Sequence, residues 1–250
     1  MNLHGYSIRA QQVCRWPQFA PTAQVYGVEL EIEPRSGSSQ SAVLNALGHN
    51  ERDFFCKADG SLDSGVEIVT VPGTLEWHTG HFCWPGLLRP VLNIAMAGAR
   101  TRRCGMHIHV NRGCLSQLTL AKLMLCVNDP GMKPVIILLA QRDPTSWARL
   151  IKKEWSNALR PGPDASRYQA INLTRQTAEF RIFRSSLRAD RVLKNIEAVD
   201  ALIQWCRDTS AAKIVDGPGF VRYASDNGRW PNLAKFLRDT GAADLIQGNA

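Results

Sequence analysis

Residues 27–33 read Gly-Val-Glu-Leu-Glu-Ile-Glu, and this strict alternation decides the class of fold. Successive side chains of a β-strand point to opposite faces. The valine, leucine and isoleucine therefore share one face, and Glu29, Glu31 and Glu33 share the other. We predict a strand over residues 25–33 that buries one face and carries three carboxylates on the other.

Three more stretches alternate in the same manner, at residues 66–69, 106–111 and 178–182. Their apolar positions again fall on one face, which we expect to pack beneath helices. The opposite face gathers these side chains: Glu29, Glu31, Glu33, Glu67, Glu179, His107, His109 and Arg181. Because no Ser/Gly-rich linker divides the chain, we predict one α+β domain over residues 1–250, with an appendage over 209–250.

Apolar spacing with a period near 3.6 predicts the helices. These fall at residues 42–48, 87–99, 116–127, 133–142, 147–159 and 191–206, and a further helix is opened by Pro231. Two short strands are expected at residues 169–173 and 177–184, separated by a turn.

The acidic face stands out because the chain as a whole is basic. It has 30 Lys and Arg against 22 Asp and Glu, a formal net charge of +8. Carboxylates this close repel one another unless a cation lies between them, and hard divalent cations prefer oxygen ligands. Histidine on the same face is compatible with Mg²⁺ or Mn²⁺. The residues alone thus predict a divalent-metal site, with an ordinary half-solvated sheet face as the alternative.

Charge and cysteine content limit the classes of partner and site. The positive charge favours an anionic partner, although it also serves solubility alone. Seven cysteines without a CxxC pair indicate free thiols rather than a disulfide framework. A zinc site at Cys104, His107, His109 and Cys114 is disfavoured, because strand alternation turns Cys104 away from His107.

The chain carries no apolar run of membrane-spanning length. Its longest uninterrupted apolar run has six residues, 135–140, where a span needs ~20. The first seventeen residues lack the apolar segment of a secretory signal. We therefore expect no membrane association and a cytoplasmic location; the oligomeric state is left open.

Taken in order, the motifs resemble the amidoligase family, within the superfamily of glutamine synthetase and γ-glutamylcysteine ligase. They are GVELEIE at 27–33, ADGSL at 58–62, EIV at 67–69, CGMHIHV at 104–110, AINL at 170–173 and AEFRIFR at 178–184. Each motif is unspecific alone, and the resemblance lies in their shared order between residue 27 and about residue 206. It implies a curved antiparallel β-sheet funnel with helices on its outer face, a glutamine synthetase-like catalytic domain.

The resemblance also implies an activity: an ATP-dependent ligase that joins a carboxylate to an amine through an acyl phosphate, with two or three Mg²⁺ ions, or Mn²⁺, against the nucleotide phosphates. The implied metal ligands are Glu29, Glu31, Asp59, Glu67, His107 and Glu179. His109 would contact the nucleotide, and Asn172 the nucleotide or substrate. Arg181 would lie over the transferring phosphoryl group.

Arg184 would bind phosphate or a substrate carboxylate, since a guanidinium fork suits either anion. The substrates would be a small-molecule or peptide carboxylate and an amine, neither of which the sequence identifies. Two other readings stay open: a divalent-metal hydrolase or nuclease, and a basic nucleic-acid-binding protein with a lapsed ligase site.

Overall fold

The computed structural model describes residues 3–8, 10–48, 52–98, 101, 103–144, 148–159 and 167–242. The chain forms two compact units. The first comprises Met1–Val110 with Arg184–Val192, and the second comprises Asn111–Phe183 with Leu193–Ala250. Each unit combines helices with strands, so the α+β class is confirmed.

The first unit is built on a sheet whose central strand is the alternating segment of the sequence. Its strands are β1 (Leu3–His4), β2 (Tyr26–Pro34), β3 (Phe54–Lys57), β4 (Val66–Thr70), β5 (Ala95–Met96) and β6 (Gly105–Asn111). The order is β1-β3-β4-β2-β6, and β5 pairs with the end of β2.

The sheet of the first unit is mixed, which corrects the prediction of a purely antiparallel sheet. β1 runs parallel to β3, with Leu3 opposite Cys56 and His4 opposite Lys57. The pairings of β2 with β4, β5 and β6, and of β3 with β4, are antiparallel. A strand of two residues is too short to show alternation, and the sequence therefore gives no sign of β1.

One face of this sheet forms the core of the unit. Leu30, Ile32, Ile68, Met106 and Ile108 are all fully buried. Removal of such side chains from water is the main stabilising contribution to a fold. α1 (Gln40–Leu47) packs against β2 and begins at Ser39, whose hydroxyl accepts a hydrogen bond from the Ala42 amide.

The predicted helix over residues 87–99 is wrong. α2 (Trp84–Leu88) is short and passes into a 3₁₀ turn at Arg89–Val91, and the chain then becomes extended in β5. Pro90 lacks an amide proton for a continuing helix. Pairing of β5 with Glu33 and Pro34 satisfies the backbone instead.

The second unit contains a hairpin and most of the helical residues. The hairpin strands are β7 (Ile171–Leu173) and β8 (Thr177–Arg184). The helices are α3 (Gln117–Asn128), α4 (Lys133–Ala140), α5 (Ala189–Asp208), α6 (Gly217–Asp226) and α7 (Pro231–Asp239). The last residue of β8 and the first four residues of α5 are assigned to the first unit. α4 packs against α3 and α6, and α6 packs against α7.

The predicted helix over residues 147–159 is also wrong where it is described, since residues 148–159 form turns and extended chain. Residue 147 lies outside the described residues. The amide of Ile151 donates to Asn128 Oδ1, and Arg149 forms a parallel bridge with Gln169. These tertiary hydrogen bonds replace those of a helix.

Among the described helices, none is by itself long and apolar enough to cross a membrane. α3 and α4 together have the length and apolar composition of a membrane span, but a bend of 86° separates the two helices.

Candidate functional site

The polar face of the first unit's sheet brings together residues that are far apart in sequence. Glu29 on β2 lies opposite His107 on β6, and Glu31 lies opposite Glu67 on β4. Gly27 lies opposite His109. Side-chain alternation then places the three glutamates and both histidines on one face, as the sequence pattern predicts. We call this set, with Lys57, the polar face.

Lys57 is the member that sequence reasoning missed. It ends β3 opposite Glu67, and its Nζ atom lies 3.3 Å from Glu67 Oε2 and 3.7 Å from Glu29 Oε1. Only 15% of its side chain is exposed. Burial lowers the pKa of Lys57, but the charges of Glu29 and Glu67 outweigh that effect and raise it. A protein cation therefore stands where the sequence argument required a cation.

Glu29 is at the centre of these contacts. Its Oε2 atom lies 3.3 Å from His107 Nδ1, and its Oε1 atom lies 3.5 Å from His109 Nε2. Burial raises the pKa of Glu29, yet the charge of His109 and hydrogen bonds from both imidazoles hold it well below its usual range, with Lys57 contributing. Glu29 consequently loses its proton more readily than an ordinary glutamate.

Glu67 behaves in the opposite way. It is 2% exposed, and burial together with the charge of Glu29 raises its pKa well above its usual range, although Lys57 opposes the change. Its Oε2 atom is buried and accepts no hydrogen bond from the described residues, despite the nearby ammonium of Lys57. The pKa values of two neighbouring glutamates of the polar face are thus shifted apart, that of Glu29 downward and that of Glu67 upward.

Glu31 and Asp59 border this pair. Glu31 is buried, and its Oε2 atom accepts a hydrogen bond from the Gly105 amide at 2.5 Å, which fixes the start of β6. Asp59 follows β3 and accepts hydrogen bonds from the amide and hydroxyl of Ser61. Its charge also contributes to the raised pKa values of Lys57 and Glu67.

Three predicted site residues of the second unit, Asn172, Glu179 and Arg181, contact one another. Asn172 on β7 lies opposite Glu179 on β8, and its Nδ2 atom donates to Glu179 Oε2 at 2.8 Å. Arg181 forms an ion pair with Glu179 Oε1. Glu179 is 5% exposed, and both of its carboxylate oxygens have partners within this unit.

Two other residues considered in the sequence are also placed. Arg184 ends β8 and belongs to the first unit, where its Cγ atom lies against Gly98. Cys104 is buried just before β6, and burial raises the pKa of its thiol.

Comparison with protein-family models gives no match for this chain, and comparison with curated proteins gives none either. The resemblance to amidoligases thus rests on the motifs and their order.

Proposed function

We propose that the polar face is catalytic surface of an ATP- and Mg²⁺-dependent carboxylate–amine ligase. One observation carries the proposal: three motifs that the resemblance assigns to one site, around Glu29, Glu67 and His107, occupy neighbouring strands and the same face. The funnel-shaped sheet and the glutamine synthetase-like fold are part of this proposal.

The donor set of the polar face fits a divalent cation. Glu29, Glu31 and Glu67 of the polar face and the neighbouring Asp59 are four carboxyl groups, and the ammonium of Lys57 contacts two of them. Carboxyl oxygens thus outnumber the contacts that Lys57 makes with them, and the buried Oε2 atom of Glu67 lies 3.3 Å from that ammonium. Oxygen-rich ligation with imidazole alongside suits Mg²⁺ or Mn²⁺. When bound, such ions would neutralise charge on the phosphates of ATP.

The surrounding residues would keep these ligands in position. His107 and His109 hold Glu29 ionised by charge and hydrogen bonds, and Glu31 is fixed by the Gly105 amide. Preorganised charge of this kind costs no rearrangement during reaction. We expect the histidines to set the charge and orientation of Glu29 in the free protein.

The proposed reaction needs activation because oxide is too poor a leaving group for an amine to displace. The substrate carboxylate attacks the γ-phosphorus of ATP, the bond to ADP breaks, and an acyl phosphate forms. The amine then attacks the acyl carbon, loses a proton, and displaces inorganic phosphate. In this proposal Arg181 and Arg184 bind phosphoryl or carboxylate oxygens, Glu179 is a further ligand, and Asn172 and His109 contact nucleotide or substrate.

The test is ADP and phosphate release by the purified full chain with ATP, Mg²⁺ and pools of amino acids, polyamines and peptides. Release that requires both a carboxylate and an amine supports the ligase. Mass spectrometry of the products should reveal compounds that gain the mass of a second compound minus water. Substrate turnover without ATP would support the metal-dependent hydrolase instead.

Matched variants separate the site from the rest of the acidic surface. Glu29→Gln should abolish release, whereas Asp63→Asn should not, because Asp63 is exposed and pairs with Arg103 outside the polar face. Arg181→Lys keeps the charge beside Glu179 but loses the guanidinium fork. Full activity in Glu29→Gln would remove the polar face from the reaction.

A further inference from the structure

A cleft in the first unit lies away from the polar face. Its volume is about 590 Å³, and its lining includes residues 15–19, Val71–Thr74, Trp77 and His81. This volume is typical of small-molecule sites. Asp53 at the cleft is four residues from Lys57, which corresponds to roughly 13 Å along an extended chain.

One wall of the cleft is rigid. A Cβ atom at Gly73 would lie 2.2 Å from the indole of Trp77, so the ring packs directly on the glycine backbone. Gly73 and Tyr26 exchange two backbone hydrogen bonds, of 2.7 and 2.9 Å. Trp77 also packs against the buried cluster of Cys14, Phe55, Val69 and Val71. The wall is therefore formed before any ligand binds.

Two further aromatic side chains, Trp16 and Phe19, line the cleft. Trp16 is half-buried and Phe19 is 39% exposed. Within the described part of the chain, neither ring has an aromatic partner. An aromatic side chain that lines a cleft and has no aromatic partner can stack against a planar ligand. Nucleic-acid bases commonly bind proteins by such stacking.

The charged side chains that line the cleft indicate which chemical groups the ligand carries. Arg15 and Arg52 both line the cleft, and Arg15 is exposed and makes no ion pair with a described residue. Guanidinium groups bind phosphate. Asp53 and Glu76 line the same cleft. Carboxylates there disfavour a bare polyanion but accept hydrogen bonds from an amino group.

We propose that this cleft binds a nucleoside phosphate whose base carries an amino group. The base stacks on Trp16, its amino group donates to Glu76, and the phosphate pairs with Arg15. The site is separate from the polar face, and the proposal holds whether or not the chain is a ligase.

The test is a titration of the full chain with AMP in the presence of EDTA. Isothermal calorimetry and tryptophan fluorescence measure the binding. Without divalent metal this assay does not report on the proposed ligase. We expect saturable binding, at least about tenfold weaker for inosine monophosphate, which lacks the amino group. Adenosine and ribose 5-phosphate should each bind more weakly than AMP.

Variants assign the binding to the cleft. Arg15→Ala and Trp16→Ala should each weaken AMP binding by about tenfold or more, and Trp16→Phe should recover much of it. Arg89→Ala is the matched control, since Arg89 is exposed in the same unit outside the cleft. The proposal is overturned if AMP does not bind, if phosphate alone competes as well as AMP, or if Arg15→Ala and Arg89→Ala behave alike.

Discussion

Lys57 Nζ lies 3.3 Å from Oε2 of Glu67, the residue directly opposite it on the neighbouring strand. The pair is nearly excluded from water, with 15% of the lysine side chain and 2% of the glutamate side chain exposed. The same ammonium reaches Glu29, so a single cation serves two carboxyl groups. A buried ion pair of this kind matters most when one partner is removed.

Lys57→Met should therefore destabilise the protein. The substitution leaves Glu29 and Glu67 together without their ammonium, and we expect the free energy of unfolding to fall by about 3 kcal/mol, the lower end of the cost of removing one partner of a buried pair. Urea denaturation at neutral pH in EDTA measures this change. Lys152→Met is the control, because the Lys152–Glu154 pair is exposed and should contribute little. Equal stability of the two variants would contradict the role of Lys57.

Lys57→Met should raise the affinity of the protein for a divalent metal ion, although it lowers the stability. Removal of a positive charge from among the carboxylates should tighten Mn²⁺ binding by about tenfold or more, measured by calorimetry on folded protein. Glu29→Gln should weaken binding, because it removes the carboxylate with the lowered pKa. If Lys57→Met leaves Mn²⁺ affinity unchanged, the metal does not bind at this face.

Stability should fall in mild acid because of His78. Burial lowers the pKa of His78 to about 4, and its Nε2 atom hydrogen-bonds the Tyr26 carbonyl at 2.9 Å. Below about pH 6.5 the imidazole of His78 binds a proton in the unfolded chain but not in the native state. The free energy of unfolding therefore falls as the pH drops from about 6.5 to about 4. The predicted loss is about 3 kcal/mol.

Denaturation across this pH range checks the slope, and His78→Gln should flatten it. Glutamine does not titrate there and can still donate to the carbonyl of Tyr26. An unchanged slope in the variant would assign the acid sensitivity to other groups.

Gly73→Ala should destabilise the first unit and distort the cleft. The added methyl group would overlap the Trp77 ring, which is held by the buried cluster, and overpacking of this type costs roughly 1–3 kcal/mol. Thermal unfolding compares it with Gly80→Ala, where no atom lies within 4 Å of the added carbon. Matching melting temperatures would show that the Trp77 ring moves aside easily.

Long alternating segments allowed much of the first unit's sheet to be predicted. The strand expected over residues 25–33 is found at Tyr26–Pro34, and the alternating stretch at 66–69 lies within the strand Val66–Thr70. Their shared polar face follows from alternation and antiparallel register. In these segments local pattern and tertiary pairing favour the same structure.

Short strands could not be predicted in this way. β3 is the four-residue run Phe-Phe-Cys-Lys, which has no alternation, and it carries Lys57 onto the polar face. The available signal was an apolar run directly before the turn at residues 58–62. β5 lies inside a stretch with helical spacing, where pairing with β2 determines the structure.

The cleft was beyond sequence reasoning for a related reason. Residues 15–19 contain no periodic pattern, and their wall is completed by Gly73 and Trp77 from a distant part of the chain. No spacing rule relates these segments. Only the folded backbone brings Arg15 and Asp53 to one cavity.

The ammonium of Lys57 has a consequence for biogenesis. Carboxylates that have no counterion in the protein can be buried during folding only when a metal ion binds them. Many small metalloproteins therefore stay unfolded in the absence of metal. Here the polypeptide supplies its own counterion on β3. Newly made chains should mature fully in metal-depleted cells, and chelation should leave them intact.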